Sequence, residues 1–545
     1  MVKRKWFLYL TSFFSGLSIM AVEIAASRLL SPYFSSSQIV WTMIIGTIMI
    51  AMAVGNIWGG RSADKDPNPG KLYLRLIIAA AWLALIPLVG KYIIAGVSLL
   101  LAAIISGNYL IWSSLICCLL IFFVPLMLLG TTTPSLTRYF VQNVEESGKV
   151  VGRLGALNTI GSIIGTFLPT FVTIPYAGTN ITFIIFASIL LALGVAYFIM
   201  KAVDDHNEKK KQSIKKNVAS SIGTALAIVF MISSALTPSQ LAFWDSKVEY
   251  EGESIYNYLR VYKNGNATIL STNVLIGMQS AKYETIGFYG DYYDTAVIAP
   301  LFVPAKAELD ILMLGLGTGT YSEYLYHYYS DLTINIDGVE IDQKIVDLAY
   351  EYFDLDERVN VYVDDGRSFL EYGKGKDKTY DIIFVDAYQD ISIPFAMSSK
   401  EFMQVVKAHL REDGLMMLNM NMRSDKPGSI NDYLIDTSAT AFSQIYTITT
   451  GGTNRLLFAS NNENVLSLVA NQLSDLPSST LKTQLVKINN KIFEPVIANH
   501  ILTDDKAPVE VLSMRVLDDI IMDELSIIKK GIKEKGFFGF LKDFL

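Results

Sequence analysis

Cysteine and histidine are scarce in this sequence. The 545 residues include two cysteines and four histidines. Cys117 and Cys118 are adjacent within an apolar run, so we expect no disulfide framework and interpret both as buried small apolar residues. The four histidines are scattered without the spacing of metal ligands. We therefore predict no metal site.

An excess of positive charge is also missing. Lysine and arginine number 45 against 52 aspartates and glutamates, and the formal net charge is −7. Proteins that bind nucleic acid commonly present clustered positive charge to the phosphates. We therefore expect no nucleic acid among the partners.

The first 240 residues, in contrast, are rich in long apolar runs. Several runs are long enough to cross a bilayer as helices, and one at 93–105 is short, so that it either crosses or lies at the interface as a short helix. We predict a multi-pass helical membrane domain over residues 1–240, with seven or eight spans and the lipid bilayer as partner. The long runs are 6–30, 39–59, 72–89, 109–129, 154–174, 181–200 and 218–236.

Two features inside these runs are unusual. Glu23 and Arg28 lie in the first run, where ionisable groups are costly and face a protein interior or a cavity. A transport site and an internal ion pair both explain them, and we favour the ion pair. Gly161 and Gly165 form a GxxxG pattern, which predicts close helix packing.

A glycine-rich loop follows a short apolar strand in the second half of the chain. Gly315, Gly317 and Gly319 allow a tight turn and a close approach of the backbone to a ligand. A helix and a second strand follow, and this strand ends at Glu340. Such spacing is typical of a βαβ nucleotide-binding unit whose acid binds ribose hydroxyls, although the loop alone also fits a structural turn.

Strands and helices alternate through the rest of this half. We predict an α/β, Rossmann-like domain over 291–545 with a mostly parallel sheet, preceded by a small β-hairpin unit over 245–290 that turns at Asn264 and Gly265. Glu340, Asp365 and Asp386 each follow a predicted strand. Ligands of such sheets bind beyond the carboxyl ends of the strands, so the sequence predicts a site at this edge.

Four stretches of the second half resemble the motifs of the spermidine synthases, and the resemblance covers residues 247–460. These enzymes are polyamine aminopropyltransferases with a class I methyltransferase-like fold. Stretches of the first half resemble the membrane-fused branch of the same family, and 502–510, with Asp504 and Asp505, resembles its C-terminal signature. The four stretches are 314–319, 339–342, 363–366 and 381–388.

The resemblance implies a nucleoside donor as co-substrate, either decarboxylated S-adenosylmethionine or S-adenosylmethionine. The glycine loop would hold this donor, Glu340 would bind its ribose hydroxyls and Asp365 its adenine amino group. Gln279 matches a glutamine near the sulfonium. Soluble relatives carry an aspartate in the glycine loop that favours the decarboxylated donor, and this chain has Thr318 in its place. Both donors therefore remain open.

The resemblance also implies a small polyamine acceptor such as putrescine. Asp386 matches the acid that takes a proton from the attacking amine, and Tyr292 a tyrosine over the substrate channel. Asp390 would hold the second amine, and we assign Asp504 and Asp505 to substrate binding as well. Soluble relatives are commonly dimers or tetramers, so a homo-oligomer is an open expectation.

Two other functions remain compatible with the sequence. A methyltransferase on the same scaffold would use the same nucleoside contacts without a second acidic site for a diamine. A transporter or sensor would use the second half only to bind the nucleoside, and Glu23 and Arg28 motivate that hypothesis.

Two arguments about the side of the membrane on which the second half lies disagree. Positive residues tend to stay in the cytoplasm, and placing the four basic segments there requires 93–105 not to cross, which puts the catalytic region outside. If 93–105 crosses, both chain ends lie inside. Because sulfonium nucleosides are made in the cytoplasm, we predict a multi-pass plasma-membrane protein with a cytoplasmic catalytic domain. The basic segments are 3–5, 61–75, 138–153 and 209–216.

Overall fold

The computed structural model divides the chain into two compact units. One unit comprises residues 1–244 and 524–545, and the other comprises 245–523. The predicted β-unit over 245–290 therefore belongs to the same compact unit as the nucleotide-binding region. The described residues 524–535, which the sequence predicts as part of the catalytic domain, group with the first unit, and there the Lys529 ammonium donates to the Ile105 carbonyl. The residues described are 5–105, 107–140, 147–207, 214–237, 240–274, 277–388, 392–421 and 423–535.

The first unit is helical. Of the described helices, six are long and apolar enough to cross a membrane by length and composition, with Ser147–Asn207 counted as one. The predicted spans 154–174 and 181–200 both fall within that stretch. At Gly178, which lies between them, the backbone is not helical (φ 82°, ψ 167°). Its elements are α1 (Lys5–Phe34), α2 (Gln38–Lys65), α3 (Pro69–Ile104), α4 (Tyr109–Gly130), α5 (Thr132–Phe140), α6 (Ser147–Leu168), a π-helical turn (Pro169–Thr173), α7 (Ile174–Asn207) and α8 (Ile214–Leu236).

The apolar run 93–105 is not a separate short helix, which corrects the sequence-based interpretation. Its residues as far as Ile104 continue α3 without a break. In the structure the Lys91 ammonium donates to the Gln240 carbonyl at 2.7 Å, so the charge is satisfied inside the helical unit.

Small residues bring α1 and α6 close together. A Cβ atom at Gly161 would lie 2.0 Å from the Phe13 carbonyl oxygen, and one at Gly165 would lie 2.1 Å from that of Leu17. The predicted GxxxG contact is therefore confirmed. The Ser12 hydroxyl adds a hydrogen bond of 2.9 Å to the Leu154 carbonyl across the same pair of helices. Cys117 and Cys118 are fully buried in α4.

A four-stranded antiparallel sheet opens the second unit. Its strands pair in chain order, and Asn264 faces Ala267 across a two-residue turn. The turn residues are thus Gly265 and Asn266, one position later than predicted, because the φ of +62° at Gly265 suits glycine at the first turn position. The strands are β1 (Val248–Glu253), β2 (Tyr258–Asn264), β3 (Ala267–Ser271) and β4 (Ser280–Tyr283).

The main sheet has seven strands in the order β10-β11-β9-β8-β5-β6-β7. The five strands from β9 to β7 are parallel, and β10 and β11 add an antiparallel edge. The predicted Rossmann-like architecture is confirmed. The elements are α9 (Tyr292–Ala296), a 3-10 turn (Ala299–Phe302), β5 (Glu308–Leu314), α10 (Thr320–Tyr328), β6 (Thr333–Glu340), α11 (Gln343–Tyr352), β7 (Val359–Val363), α12 (Gly366–Glu371), β8 (Tyr380–Val385), a 3-10 turn (Phe395–Met397), α13 (Lys400–Ala408), β9 (Leu410–Met420), α14 (Ile430–Ala439), β10 (Gln444–Thr449), β11 (Arg455–Ser460), α15 (Val465–Asp475), α16 (Thr480–Asn489) and α17 (Val509–Lys535).

Candidate active site

The glycine loop follows β5 at the carboxyl edge of the parallel strands. Gly315, Gly317 and Gly319 have φ values of +92°, +55° and +80°, a region that favours glycine. A Cβ atom at Gly315 would lie 2.4 Å from the Asp386 carbonyl oxygen. The loop after β5 therefore packs directly against the residue that follows β8, and only glycine permits that approach.

Glu340 ends β6 and is buried beneath this loop, with 7% of its surface exposed. Its carboxylate accepts hydrogen bonds from the backbone N–H of Gly317 at 3.0 Å and of Asp342 at 3.1 Å. Burial raises the pKa of Glu340 to about 7, and the two backbone donors oppose that rise. The side chain is thus fixed beside the glycine loop, where the sequence predicts the ribose hydroxyls.

Asp365 lies at the end of the next strand, where it begins α12. Its carboxylate caps the helix by accepting from the Ser368 N–H at 2.8 Å. The structure therefore brings Asp365 to the same edge of the sheet as Glu340 and gives it a structural role as a helix cap.

Asp386 follows β8 and has both carboxylate oxygens engaged. The Tyr292 hydroxyl donates to Oδ2 at 2.5 Å, and the Asn419 amide donates to Oδ1 at 2.7 Å. The carboxylate is partly accessible, but dense protein surroundings raise the pKa of Asp386 to about 7, against the effect of the two hydrogen bonds. Asp386 can therefore accept a proton near neutral pH.

A second layer of polar groups holds Asn419. The Asn454 amide donates to the Asn419 side-chain oxygen at 2.9 Å, which leaves the Asn419 amide group pointing at Asp386. The Tyr388 hydroxyl donates to the Asn419 carbonyl and accepts from the Asn421 N–H at 3.1 Å. Residues at the carboxyl ends of β8 and β9 and just before the start of β11 thereby fix the orientation of the Asp386 carboxylate.

Asp386 opens into a cavity of about 320 Å³, within the size range of small-molecule sites. Gln279 and Tyr292, both predicted from the sequence, line it as well. The Gln279 side-chain amide donates to the Thr272 hydroxyl at 3.1 Å, and the Gln279 backbone carbonyl accepts from the Tyr293 hydroxyl at 3.3 Å. The full lining is Gly277, Met278, Gln279, Asp291, Tyr292, Tyr293, Asp386, Tyr388, Asn419, Asn421, Gly452, Thr453, Asn454, Leu517 and Ile520.

Asp504 and Asp505 are not among the residues that line this cavity, in contrast to the sequence-based assignment. The Asp504 carboxylate forms a bidentate pair with Arg367, with both distances 2.8 Å, and accepts from the Ser399 hydroxyl at 2.5 Å. This arrangement ties the C-terminal segment to the starts of α12 and α13. Asp505 is exposed in the adjoining turn. Asp390 lies outside the described residues.

Twelve of the fifteen lining residues were not predicted, and among these are Asp291, Asn419, Asn454 and Ile520. Asn419 lay near the end of a predicted strand at the correct edge of the sheet, and that position was the available signal. Asn454 and Ile520 reach the cavity from distant parts of the chain, and no local pattern marks them. No group of three or more histidine, cysteine, aspartate or glutamate side chains in the described ranges is placed to hold a metal ion.

Sheet order, glycine loop and strand-end acids define a protein of the class I methyltransferase-like fold with a candidate nucleoside site. The spermine/spermidine synthase domain model matches residues 302–455. A probable polyamine aminopropyl transferase of Bifidobacterium longum is 45% identical over 335 residues, which cover 58% of this chain and 74% of that protein. The chain belongs to the polyamine aminopropyltransferase family, as its motifs predicted, and is a transferase of the spermidine synthase type.

Further comparisons cover less of this chain. A polyamine aminopropyltransferase of Clostridium beijerinckii is 33% identical over 132 residues, covering 23% of this chain and 44% of that protein. The crystal structure of spermidine synthase from Thermotoga maritima superimposes with a TM-score of 0.35 at 15% identity, covering 52% of this chain and 88% of that structure. Membership in a membrane-fused branch of the family stays a prediction.

Proposed function

We propose that this protein transfers an aminopropyl group from decarboxylated S-adenosylmethionine to a small diamine such as putrescine. The observation that carries this proposal is the Asp386 carboxylate, held by Tyr292 and Asn419 in a cavity next to the glycine loop. A carboxylate in this position suits the one proton transfer that the reaction needs.

A primary amine has a reference pKa of about 10.4, by analogy with lysine, and is protonated at neutral pH. It becomes a nucleophile when Asp386 takes its proton. The amine nitrogen then attacks the propyl carbon next to the sulfonium and forms the new C–N bond. The C–S bond breaks with its electron pair on sulfur, and a neutral thioether nucleoside leaves. General-base assistance of this kind commonly contributes about 10²- to 10⁴-fold.

The remaining lining suits an amine with a short alkyl chain. Met278, Leu517 and Ile520 supply apolar surface for methylene groups, whereas Asp291 and Asp386 supply negative charge for ammonium groups. On the donor side, Glu340 is fixed by the Gly317 N–H beneath the glycine loop, which supports its assignment to the ribose hydroxyls.

Product analysis by mass spectrometry tests the proposal. Purified full-length protein is offered decarboxylated S-adenosylmethionine or S-adenosylmethionine with a panel of diamines and monoamines. We expect aminopropylated diamine from the decarboxylated donor and loss of this product in Asp386→Asn. A methylated product, or no product with any pair of substrates, contradicts the proposal.

A methyltransferase is the second candidate, and Thr318 is the observation that favours it. Soluble relatives have an acid at this loop position, whereas the Thr318 side chain is neutral and buried, with 2% of its surface exposed. Its hydroxyl lies 3.2 Å from that of Thr320, and its N–H donates to Ser280 at 3.4 Å. The loop thus lacks a charge that would reject the carboxylate of S-adenosylmethionine, and the same product analysis separates the two functions.

We further propose a multi-pass location in the plasma membrane with the catalytic unit in the cytoplasm. Because 93–105 continues α3, the eight-span route to this placement is lost. Ser147–Asn207 is 61 residues long and is broken at Gly178, so the helical segments on both sides of the break are long enough to cross. Two passages there give seven crossings, so the N-terminus and the catalytic unit lie on opposite sides of the membrane. Cytoplasmic donor supply then places the catalytic unit inside and the N-terminus outside.

Reporter fusions after Lys216 and Leu545 test the sidedness. We expect alkaline phosphatase to be inactive when fused at Leu545. An active fusion at Leu545 together with an inactive one at Lys216 would reverse the placement and make donor supply across the membrane the next question.

A further inference from the structure

Asp291 is a second carboxylate that lines the cavity, and the sequence did not predict it as a site residue. It immediately precedes α9 and Tyr292, the residue whose hydroxyl donates to Asp386. Its Oδ2 accepts a hydrogen bond of 2.6 Å from the Tyr283 hydroxyl on β4. Asp291 and Asp386 are the two carboxylates among the described residues that line the cavity.

An aromatic pair lies behind Asp291. The rings of Tyr283 and Tyr289 stack with centroids 3.8 Å apart and an interplanar angle of 14°, and 44% of Tyr289 is exposed. Burial and the hydrogen bond to Asp291 raise the pKa of Tyr283, so its hydroxyl remains a donor at neutral pH. The Tyr283 hydroxyl therefore holds the Asp291 carboxylate in place, and this carboxylate offers negative charge to an ammonium group in the cavity.

The proposed reaction requires such a setting. A diamine brings two ammonium groups into the cavity, and only the one that attacks gives up its proton to Asp386. The other stays charged, and a charged group inside a protein cavity needs a partner of opposite sign. The family resemblance implies Asp390 for this amine, but Asp390 lies outside the described residues, and Asp291 is the described carboxylate of the cavity besides Asp386.

We propose that Asp291 binds the second ammonium of the acceptor and so selects amines with two cationic ends. This inference rests on the proposed aminopropyl transfer and adds to it a residue that determines acceptor specificity. Asp291 acts on binding of the acceptor, whereas Asp386 acts on the proton, so the two carboxylates differ in the kinetic parameter that each controls.

The test compares a linear diamine with the monoamine of equal chain length, using full-length protein and Asp291→Asn. Asparagine keeps the shape of the side chain and suits the position before a helix. We expect kcat/KM for the diamine to fall about ten- to hundredfold, the size of a hydrogen bond to a charged group, through a higher KM. For the monoamine kcat/KM should stay unchanged, so that the preference for the diamine is lost.

Two further variants serve as controls. Glu284→Gln removes one negative charge from an exposed side chain near Asp291 in sequence and should keep the diamine preference. Tyr283→Phe removes the hydrogen bond to Asp291 but keeps its charge, so most of the preference should remain. If Tyr283→Phe and Asp291→Asn slow both amines equally, Asp291 merely positions Tyr283 and the inference is wrong.

The remaining outcomes separate this inference from the function on which it rests. A rise in the KM of the donor, with the KM of the diamine unchanged, assigns Asp291 to the amine of the donor and overturns the inference while aminopropyl transfer stands. If the unmodified protein transfers no aminopropyl group to either amine, the proposed function fails and the inference fails with it.

Discussion

Replacement of Tyr292 by phenylalanine should move the pH dependence of the reaction. The Tyr292 hydroxyl donates to Asp386 Oδ2 at 2.5 Å, and this bond stabilises the charged carboxylate against the burial that raises its pKa to about 7. Phenylalanine keeps the ring and removes the donor. The pKa of Asp386 must then rise further, because the hydrogen bond favoured the charged form.

The expected size of this change follows from the strength of the bond. A hydrogen bond to a charged group contributes about 1.5–3 kcal/mol, and 1.36 kcal/mol corresponds to one pKa unit. The pKa of Asp386 should therefore rise by about one to two units. Since only the charged carboxylate accepts the proton of the amine, activity is lost as pH falls through this pKa. The variant should lose activity at a correspondingly higher pH than the unmodified protein.

The assay is kcat/KM for the diamine between about pH 6 and pH 9.5, with saturating donor. Tyr289→Phe is a control, because the Tyr289 hydroxyl donates to the Thr285 carbonyl and Tyr289 is not among the residues that line the cavity. In this variant kcat/KM should rise with pH over the same pH range as in the unmodified protein. An ascending limb of Tyr292→Phe at the same or a lower pH would refute the assignment of Asp386 as the base.

Three further substitutions test other parts of the site. Asp386→Asn should abolish most turnover, by about 10²- to 10⁴-fold, while donor binding measured by calorimetry persists; unchanged turnover across the pH series contradicts the role of the base. Glu340→Gln should weaken donor binding by about 1.5–3 kcal/mol, because an amide cannot accept from both the Gly317 and Asp342 N–H groups; unaltered calorimetric affinity would put the nucleoside elsewhere. Thr318→Asp should shift competition binding toward the decarboxylated donor, since a buried carboxylate repels that of S-adenosylmethionine; an unchanged ratio removes Thr318 from donor selection.

Local patterns were sufficient to predict which strand ends lie at one edge of the sheet. The glycine loop, Glu340, Asp365 and Asp386 each follow a strand whose apolar residues mark it in the sequence, and the carboxyl ends of parallel strands meet at one edge. The structure confirms that two of these positions lie together, because Gly315 packs against the Asp386 carbonyl.

Contacts between distant segments could not be predicted in this way. The chain from Asp386 through Asn419 to Asn454 depends on the pairing of β8, β9 and β11, and Ile520 reaches the cavity from α17. Asp504 is a different case. Its motif predicts substrate binding, whereas in the structure its carboxylate forms an ion pair with Arg367. The run 93–105 was interpreted as a separate element on its length alone, whereas α3 continues through it as far as Ile104.

In the proposed reaction, the propyl carbon next to the sulfonium is the carbon that moves to the amine. Decarboxylated S-adenosylmethionine carries both the aminopropyl group and an S-methyl group, so two preparations, labelled in one group or the other, test this claim within a single substrate. With purified protein and putrescine, we predict that the propyl label appears in the amine product and that the methyl label stays with the thioether nucleoside. A methyl label in the amine product would contradict the account.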